Sequence, residues 1–320
     1  MPDEFDLIAQ YFAPLAGEAG LELKDDAACI KARPGYDCIV SKDILVEGTH
    51  FFEGANPFDL AFKALAVNVS DLAAKGAKPA IYFLGLSLPT TIEENWLKSF
   101  SAGLQVAQDS YPVELAGGDT TSTKGPITIS ITALGYVEES SMIKRSGAKV
   151  EDDVYVTGTL GDAAIGLKAL QADPSASGYL VARYHRPQAR LQIGLSLHGI
   201  ANSAADVSDG LLADLGHICN ASKVGVTIQQ AKLPLSPSTE AALRENSSFA
   251  DLVWSGGDDY EILFTSPRSN RQQIEQLSSE VAVPITRIGT VEQGEGVRLV
   301  DQSGNLVQVK NVGFQHFRQN

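Results

Sequence analysis

A chain of 320 residues that is 44% apolar and 20% charged has ordinary globular composition and enough length for two cores. Asp and Glu number 39 against 25 Lys and Arg, a formal net charge of -14, which excludes broad binding to nucleic-acid backbones. No stretch reaches the ~18 apolar residues that a bilayer-spanning helix needs, so no membrane partner is expected. Cys29, Cys38 and Cys219 offer neither a CxxC pair nor zinc spacing and read as reduced thiols. The acidic start, Met1 to Glu4, lacks the basic and apolar regions of a signal peptide, and the expected location is the cytoplasm.

In chain order, apolar spacing predicts a helix over 4–16, then a short strand over 36–41. A helix follows over 58–75, with Ala61, Leu65, Asn68 and Leu72 on one face, then a strand over 81–88 closed by Pro89. A helix over about 92–108 leads to a short strand, 113–116, that runs into glycines. Ile127, Ile129 and Ile131 alternate with polar residues at a period of two. Glu138 to Ser141 breaks the pattern, so the predicted domains are 1–138 and 139–320. The second half restarts with a strand over 154–156 and a helix after Gly161. Further helices are expected over 189–200 and 208–221, a strand over 260–264, and a hairpin over 297–309 turning at Ser303-Gly304-Asn305. Strands and helices interleave without a clean βαβ rhythm, which predicts an α+β fold.

The informative feature is a scattered set of aspartates at breaks between apolar elements and small residues. These are Asp25-Asp26, the Asp43 of Ser41-Lys42-Asp43, Asp71, the Asp119 of Gly117-Gly118-Asp119, and Asp206 with Asp209. Each could be a plain helix cap or turn residue. Asp71 could also merely pair with Lys75 across one helical turn. Yet Asn68-Val69-Ser70-Asp71 is a dense polar group in a run that otherwise reads as buried, and buried carboxylates need donors or cations. Two carboxylates about 4 Å apart repel by roughly 4 kcal/mol at an intermediate dielectric, so if such groups converge they need a metal. Hard oxygen donors without a His/Cys set suit Mg²⁺, and Mg²⁺ with few protein ligands usually takes the rest from phosphates. No Walker A or protein-kinase signature is present. Lys144-Arg145 is either a phosphate-binding fork or a solvated basic turn.

Six segments, in this order, resemble the thiamine-monophosphate kinase family. They are Asp25-Asp26-Ala27-Ala28; Ser41-Lys42-Asp43 leading to Gly48-Thr49-His50-Phe51; Lys63 through Ala74; Gly117 through Thr121; Asp206 through Leu211; and Ser255 through Glu261. The resemblance runs from Phe5 to Phe317 and is most specific at 68–71 and 118–121. It implies the two-domain aminoimidazole-ribonucleotide synthetase-like fold: an N-terminal α/β domain that binds ATP and Mg²⁺ and makes a homodimer through its sheet, and a C-terminal α+β domain. It implies transfer of the ATP γ-phosphoryl group to thiamine monophosphate, giving thiamine diphosphate. By the same resemblance Asp26, Ser41, Lys42, Asp43, Asp71, Asp119, Asp206 and Asp209 are Mg²⁺ ligands, and Asp43, Asp71 and Asp119 are the catalytic set. Gly118, Asp119, Arg145 and Ser208 are implied to touch ATP, and His50, Asp258 and Phe314 to touch thiamine monophosphate.

The chain departs from the family pattern at three places. Lys42 stands where a threonine is usual, so only its carbonyl could meet a cation. Asp258 stands where glutamate is usual, and Lys24 where glycine is typical. The rival readings are another ATP-dependent synthetase of the same superfamily and a non-catalytic nucleotide- or metal-binding relative.

Overall fold

The computed structural model describes residues 4–25 and 27–314. The first residues do not form one continuous helix. Helix α1 (Glu4–Leu7) passes into a π turn at Ile8–Phe12 and a 3-10 turn at Ala13–Leu15, where Pro14 removes a backbone donor.

The elements that follow are β1 (Tyr36–Val46), α2 (Pro57–Ala74), β2 (Lys78–Pro89), α3 (Glu94–Ser110), β3 (Glu114–Thr123) and β4 (Thr128–Glu138). They build a four-stranded sheet in the order β1-β4-β2-β3, with β4 antiparallel to both neighbours and β2 parallel to β3. The parallel pair needs a crossover, which α3 supplies. Along β2 and β4 buried and half-buried residues alternate, Tyr82, Leu84, Ile129 and Ile131 being buried, so one face of the sheet is covered and the other open. Strand β1 continues past Ser41 to Val46. Polar residues on its inward side, Ser41 and Asp43, hide the strand from a reading by apolar alternation.

The second set is β5 (Asp153–Thr157), α4 (Asp162–Ala172), α5 (Tyr179–His185), α6 (Leu191–Ser196), β6 (Ser203–Asp206), α7 (Leu211–Ser222) and β7 (Gly225–Gln229). It continues with α8 (Pro237–Glu245), α9 (Ala250–Ser255), β8 (Ile262–Ser266), α10 (Arg271–Glu280), β9 (Ile285–Glu292) and β10 (Gly296–Val300). Its six strands are ordered β10-β7-β9-β5-β8-β6. The core under this sheet includes Val154, Val156, Leu215, Ile218, Leu263 and Ile288. The predicted hairpin over 297–309 does turn back at Ser303-Gly304-Asn305, with Val307 N–H donating to the Leu299 carbonyl at 2.9 Å, but its return arm is not a full strand. β10 pairs in parallel with β7, and the return past Ser303-Gly304-Asn305 makes one isolated bridge, Val300 with Leu306. By contact the chain divides into two compact units, Met1–Leu72 with Ala77–Met142, and Ala73–Gly76 with Ile143–Asn320.

Candidate active site

In the N-terminal unit β1 and α2 face each other through polar groups. The Ser41 hydroxyl donates a short hydrogen bond to Asp71 Oδ2. One helical turn before Asp71, Asn68 Oδ1 accepts the Asp43 backbone N–H at 3.2 Å, and Asn68 Nδ2 donates to the Ala64 carbonyl at 3.0 Å. Among the described residues strand β1 pairs on one side only, so Asn68 satisfies an edge donor that has no strand partner there. Ser41 and Asp43 thus share the α2 side of the sheet, two residues apart on a strand. The Lys42 ammonium lies on the other face, donating to Ser130 Oγ at 2.7 Å and Thr132 Oγ1 at 3.3 Å. Lys75, just past α2 and by contact part of the C-terminal unit, donates to the Ala204 carbonyl of that same unit at 2.7 Å.

His50 folds back on its own turn. Its Nδ1 accepts the Val46 N–H at 2.9 Å and its N–H donates to the Val46 carbonyl at 2.9 Å, which puts the ring proton on Nε2. Asp119 is exposed on β3, the opposite edge strand from β1. By register it shares a row with Gly85, Ser130 and Ile44 on the open face, three strand spacings, or ~14 Å, from β1. The structure therefore joins Ser41, Asp43, Asn68 and Asp71, and places Asp119 on the edge strand opposite β1. Gly118 pairs with Leu84, and a Cβ there would fall 1.9 Å from the Leu84 carbonyl oxygen. Asp26 lies outside the described residues.

The C-terminal unit brings its predicted residues onto one frame. β6 ends at Asp206, and the chain beyond it runs beside residues 258–261. Val207 N–H donates to the Glu261 carbonyl (2.9 Å), Tyr260 N–H to the Val207 carbonyl (2.8 Å) and Asp258 N–H to the Ser208 carbonyl (2.9 Å). Gly257 permits this approach, since a Cβ there would sit 2.3 Å from the Ser208 carbonyl oxygen. The turn 207–210 opens α7, and the buried Asp214 carboxylate accepts the N–H groups of Ser208 (3.0 Å) and Asp209 (3.1 Å). The Asp209 carbonyl accepts the Phe314 N–H at 3.0 Å, which places Phe314, half exposed, beside the same turn. Arg145 is tied through its carbonyl to Ser222 Oγ at 3.2 Å, and its charge opposes the upward shift of Asp214. Burial, then the neighbouring Asp209 carboxylate, pushes Asp214 up to about 7.

Sequence reasoning missed Asp214 and His217. Ligand atoms of Asp209, Asp214 and His217 lie within 4.8 Å of one another. The i, i+3 spacing of Asp214 and His217 on α7, just past Asp209, is the signal that could have found them. It also missed what stands behind Asp258. Asp258 and Tyr260 have left-handed backbones, φ 69° and 52°, each costing roughly 1–2 kcal/mol. The Tyr260 hydroxyl donates to Asp258 Oδ1 at 3.2 Å. Asp259 and Glu261, which alternate with them, point inward and are fully buried. Asp259 accepts the Gly161 N–H at 2.7 Å, yet burial pushes it up to about 8, with Asp162 and Glu261 adding to the shift.

Residues 24–137 match the family model "AIR synthase related protein, N-terminal domain", and 149–302 match its C-terminal counterpart. The thiamine-monophosphate kinase of Escherichia coli K12 is 42% identical over 98% of both chains. The chain belongs to the thiamine-monophosphate kinase family. Among solved family structures, the thiamine-monophosphate kinase of Stenotrophomonas maltophilia K279a superposes with a TM-score of 0.81 at 39% identity, covering 89% of this chain and 91% of that one. AaThiL complexed with AMPPCP and TMP superposes at 0.80 with 32% identity, covering 98% and 97%. The family match thus spans both units, and with them both groups of polar residues.

Proposed function

We propose that this chain uses ATP to phosphorylate thiamine monophosphate, giving thiamine diphosphate and ADP, as its full-length kinase relatives are named for doing. The observation that carries the reading is the frame of the C-terminal unit. Ser208 and Asp209, residues proposed for nucleotide and metal, are hydrogen-bonded through backbone to Asp258 and Phe314, those proposed for the acceptor.

A non-bridging oxygen of the acceptor phosphate attacks the γ-phosphorus, the bond from γ-phosphorus to the bridging oxygen breaks, and ADP leaves with that electron pair. The acceptor oxygen is already anionic, so no strong base is required, and positioning with charge neutralisation does most of the work. That agrees with His50, whose Nδ1 is occupied by Val46 and whose Nε2 is a donor. Ser208 and Arg145 would hold ATP, while His50, Asp258 and Phe314 would orient the thiamine phosphate.

The donors proposed for Mg²⁺ are oxygens, at Ser41, Asp43 and Asp71 in one unit and at Asp206 and Asp209 in the other, where His217 also lies near Asp209. Bound there, Mg²⁺ would neutralise phosphate charge. Asp119 and Asp26 remain proposed ligands on family likeness. A cytoplasmic location fits an ATP-dependent kinase. A homodimer through the open sheet face is supported by exposed Val40 and Ile44 on that face.

The test incubates the protein with ATP, Mg²⁺ and thiamine monophosphate and separates the products by chromatography. Thiamine diphosphate and ADP should form in equal amounts and stop forming when EDTA is added. ADP release independent of the thiamine phosphate would overturn the reading. Light scattering after size exclusion tests the dimer.

A further inference from the structure

Behind the outward-facing pair Asp258 and Tyr260 lies a buried ion cluster with no reacting atom to serve. Glu261 is gripped by four donors: Arg190 Nε and Nη2, each at 2.6 Å, Arg183 Nη2 at 2.9 Å, and Thr157 Oγ1 at 2.7 Å. The same Arg183 nitrogen donates to the Asp259 carbonyl at 3.0 Å, so one guanidinium pins backbone and side chain of this segment together. Gly158, at φ +56°, leaves the room: a Cβ there would fall 2.3 Å from Glu261 Oε1.

Buried ion pairs of this kind seldom exceed a well-packed apolar cluster in stability, so stability alone is a weak reason for one here. Its position gives a better reason. It anchors the two inward residues of a segment whose two outward residues sit in left-handed backbone, a conformation that persists only where surroundings enforce it.

We propose that Glu261, held in the fork of Arg190 and by Arg183, is a positioning residue that sets the Asp258 carboxylate for the thiamine portion of the acceptor. The inference rests on the proposed function. It assigns to the cluster control of acceptor affinity rather than of nucleotide affinity.

The test compares KM for thiamine monophosphate, KM for ATP, and kcat in wild type, Arg190→Lys, Thr157→Val and Thr157→Ser, with thermal melts of each. Arg190→Lys keeps the charge and loses the fork. It should raise the thiamine monophosphate KM about tenfold and leave the ATP KM within about twofold. Thr157→Val, the milder change should the arginine variant fold poorly, should shift the same constant in the same direction, and Thr157→Ser should restore it. Equal shifts in both KM values, or a lower melting temperature with both unchanged, would overturn the positioning role. Absence of turnover in the wild-type protein would instead overturn the functional reading and the proposal with it.

Discussion

The Ser41 hydroxyl on β1 donates to the Asp71 carboxylate on α2. The contact ties a strand edge to a helix at a carboxylate that sequence reasoning singled out for metal binding. Because Asn68 takes the adjacent Asp43 N–H, two residues of the helix and two of the strand are held as one polar group. Asp71→Asn keeps the size and an acceptor for Ser41 while removing the charge. Turnover should fall by about 10²-fold or more, with unchanged far-ultraviolet circular dichroism and a weakened Mg²⁺ dependence. Retained turnover at the wild-type Mg²⁺ response would remove Asp71 from the proposed ligand set.

Two glycines should behave oppositely when given a methyl group. Gly118 lies against the Leu84 carbonyl, and backbone cannot step aside without breaking the β2–β3 pairing. Gly118→Ala should destabilise the protein by roughly 1–3 kcal/mol. Gly216 on α7 has open space around its Cβ position, and Gly216→Ala should stabilise by about 0.5–1 kcal/mol. Denaturant titration of both variants checks the pair.

Stability should depend on pH through Asp259. Its folded-state value, about 8, lies above the unfolded value near 3.8. A raised value means the folded state binds the proton more tightly, so this contribution is complete below about pH 4 and is lost as pH rises towards about 8. Asp259→Asn removes the proton exchange. The melting temperature of the variant relative to wild type should therefore rise between pH 4 and pH 8. A constant difference across that range would show that Asp259 is ionised throughout.

Phe314 is anchored by its backbone at Asp209, while its ring is half exposed. Phe314→Ala should leave thermal stability nearly unchanged and raise KM for thiamine monophosphate several-fold, an aromatic contact being worth about 0.5–1.5 kcal/mol. Initial-rate kinetics at saturating ATP measures it. An unchanged KM would make the ring a bystander.

What could be read from residues alone follows their periodicity. The alternation at Ile127, Ile129 and Ile131 became β4, and the apolar run around Asn68 became α2. The missed elements carry little such signal. β6 is Ser203-Ala204-Ala205-Asp206, small residues without β-branching, buried because neighbours cover them. α10 buries only Ile274 and Leu277, too sparse a stripe to stand out. At the site, the aspartates were visible as residue types, and their partners were not. Nothing local in the sequence says that Phe314 meets Asp209, or that Glu261 meets Arg190. Asp119 was grouped with Asp71 by chemistry, and its place on the edge strand opposite β1 could not be read from the residues.

The late partner of the Asp209 carbonyl has a consequence for biosynthesis. The residues of the N-terminal unit all precede Ile143, only Ala73–Gly76 among them being given to the other unit, so that unit can close while translation continues. The turn at 207–210 receives the 258–261 ladder much later, and the Phe314 amide later still. A nascent polypeptide stalled between those points would display a finished acidic strand–helix pair and a turn at 207–210 still lacking its later partners. The proposed acceptor site is thus among the last features the growing chain completes.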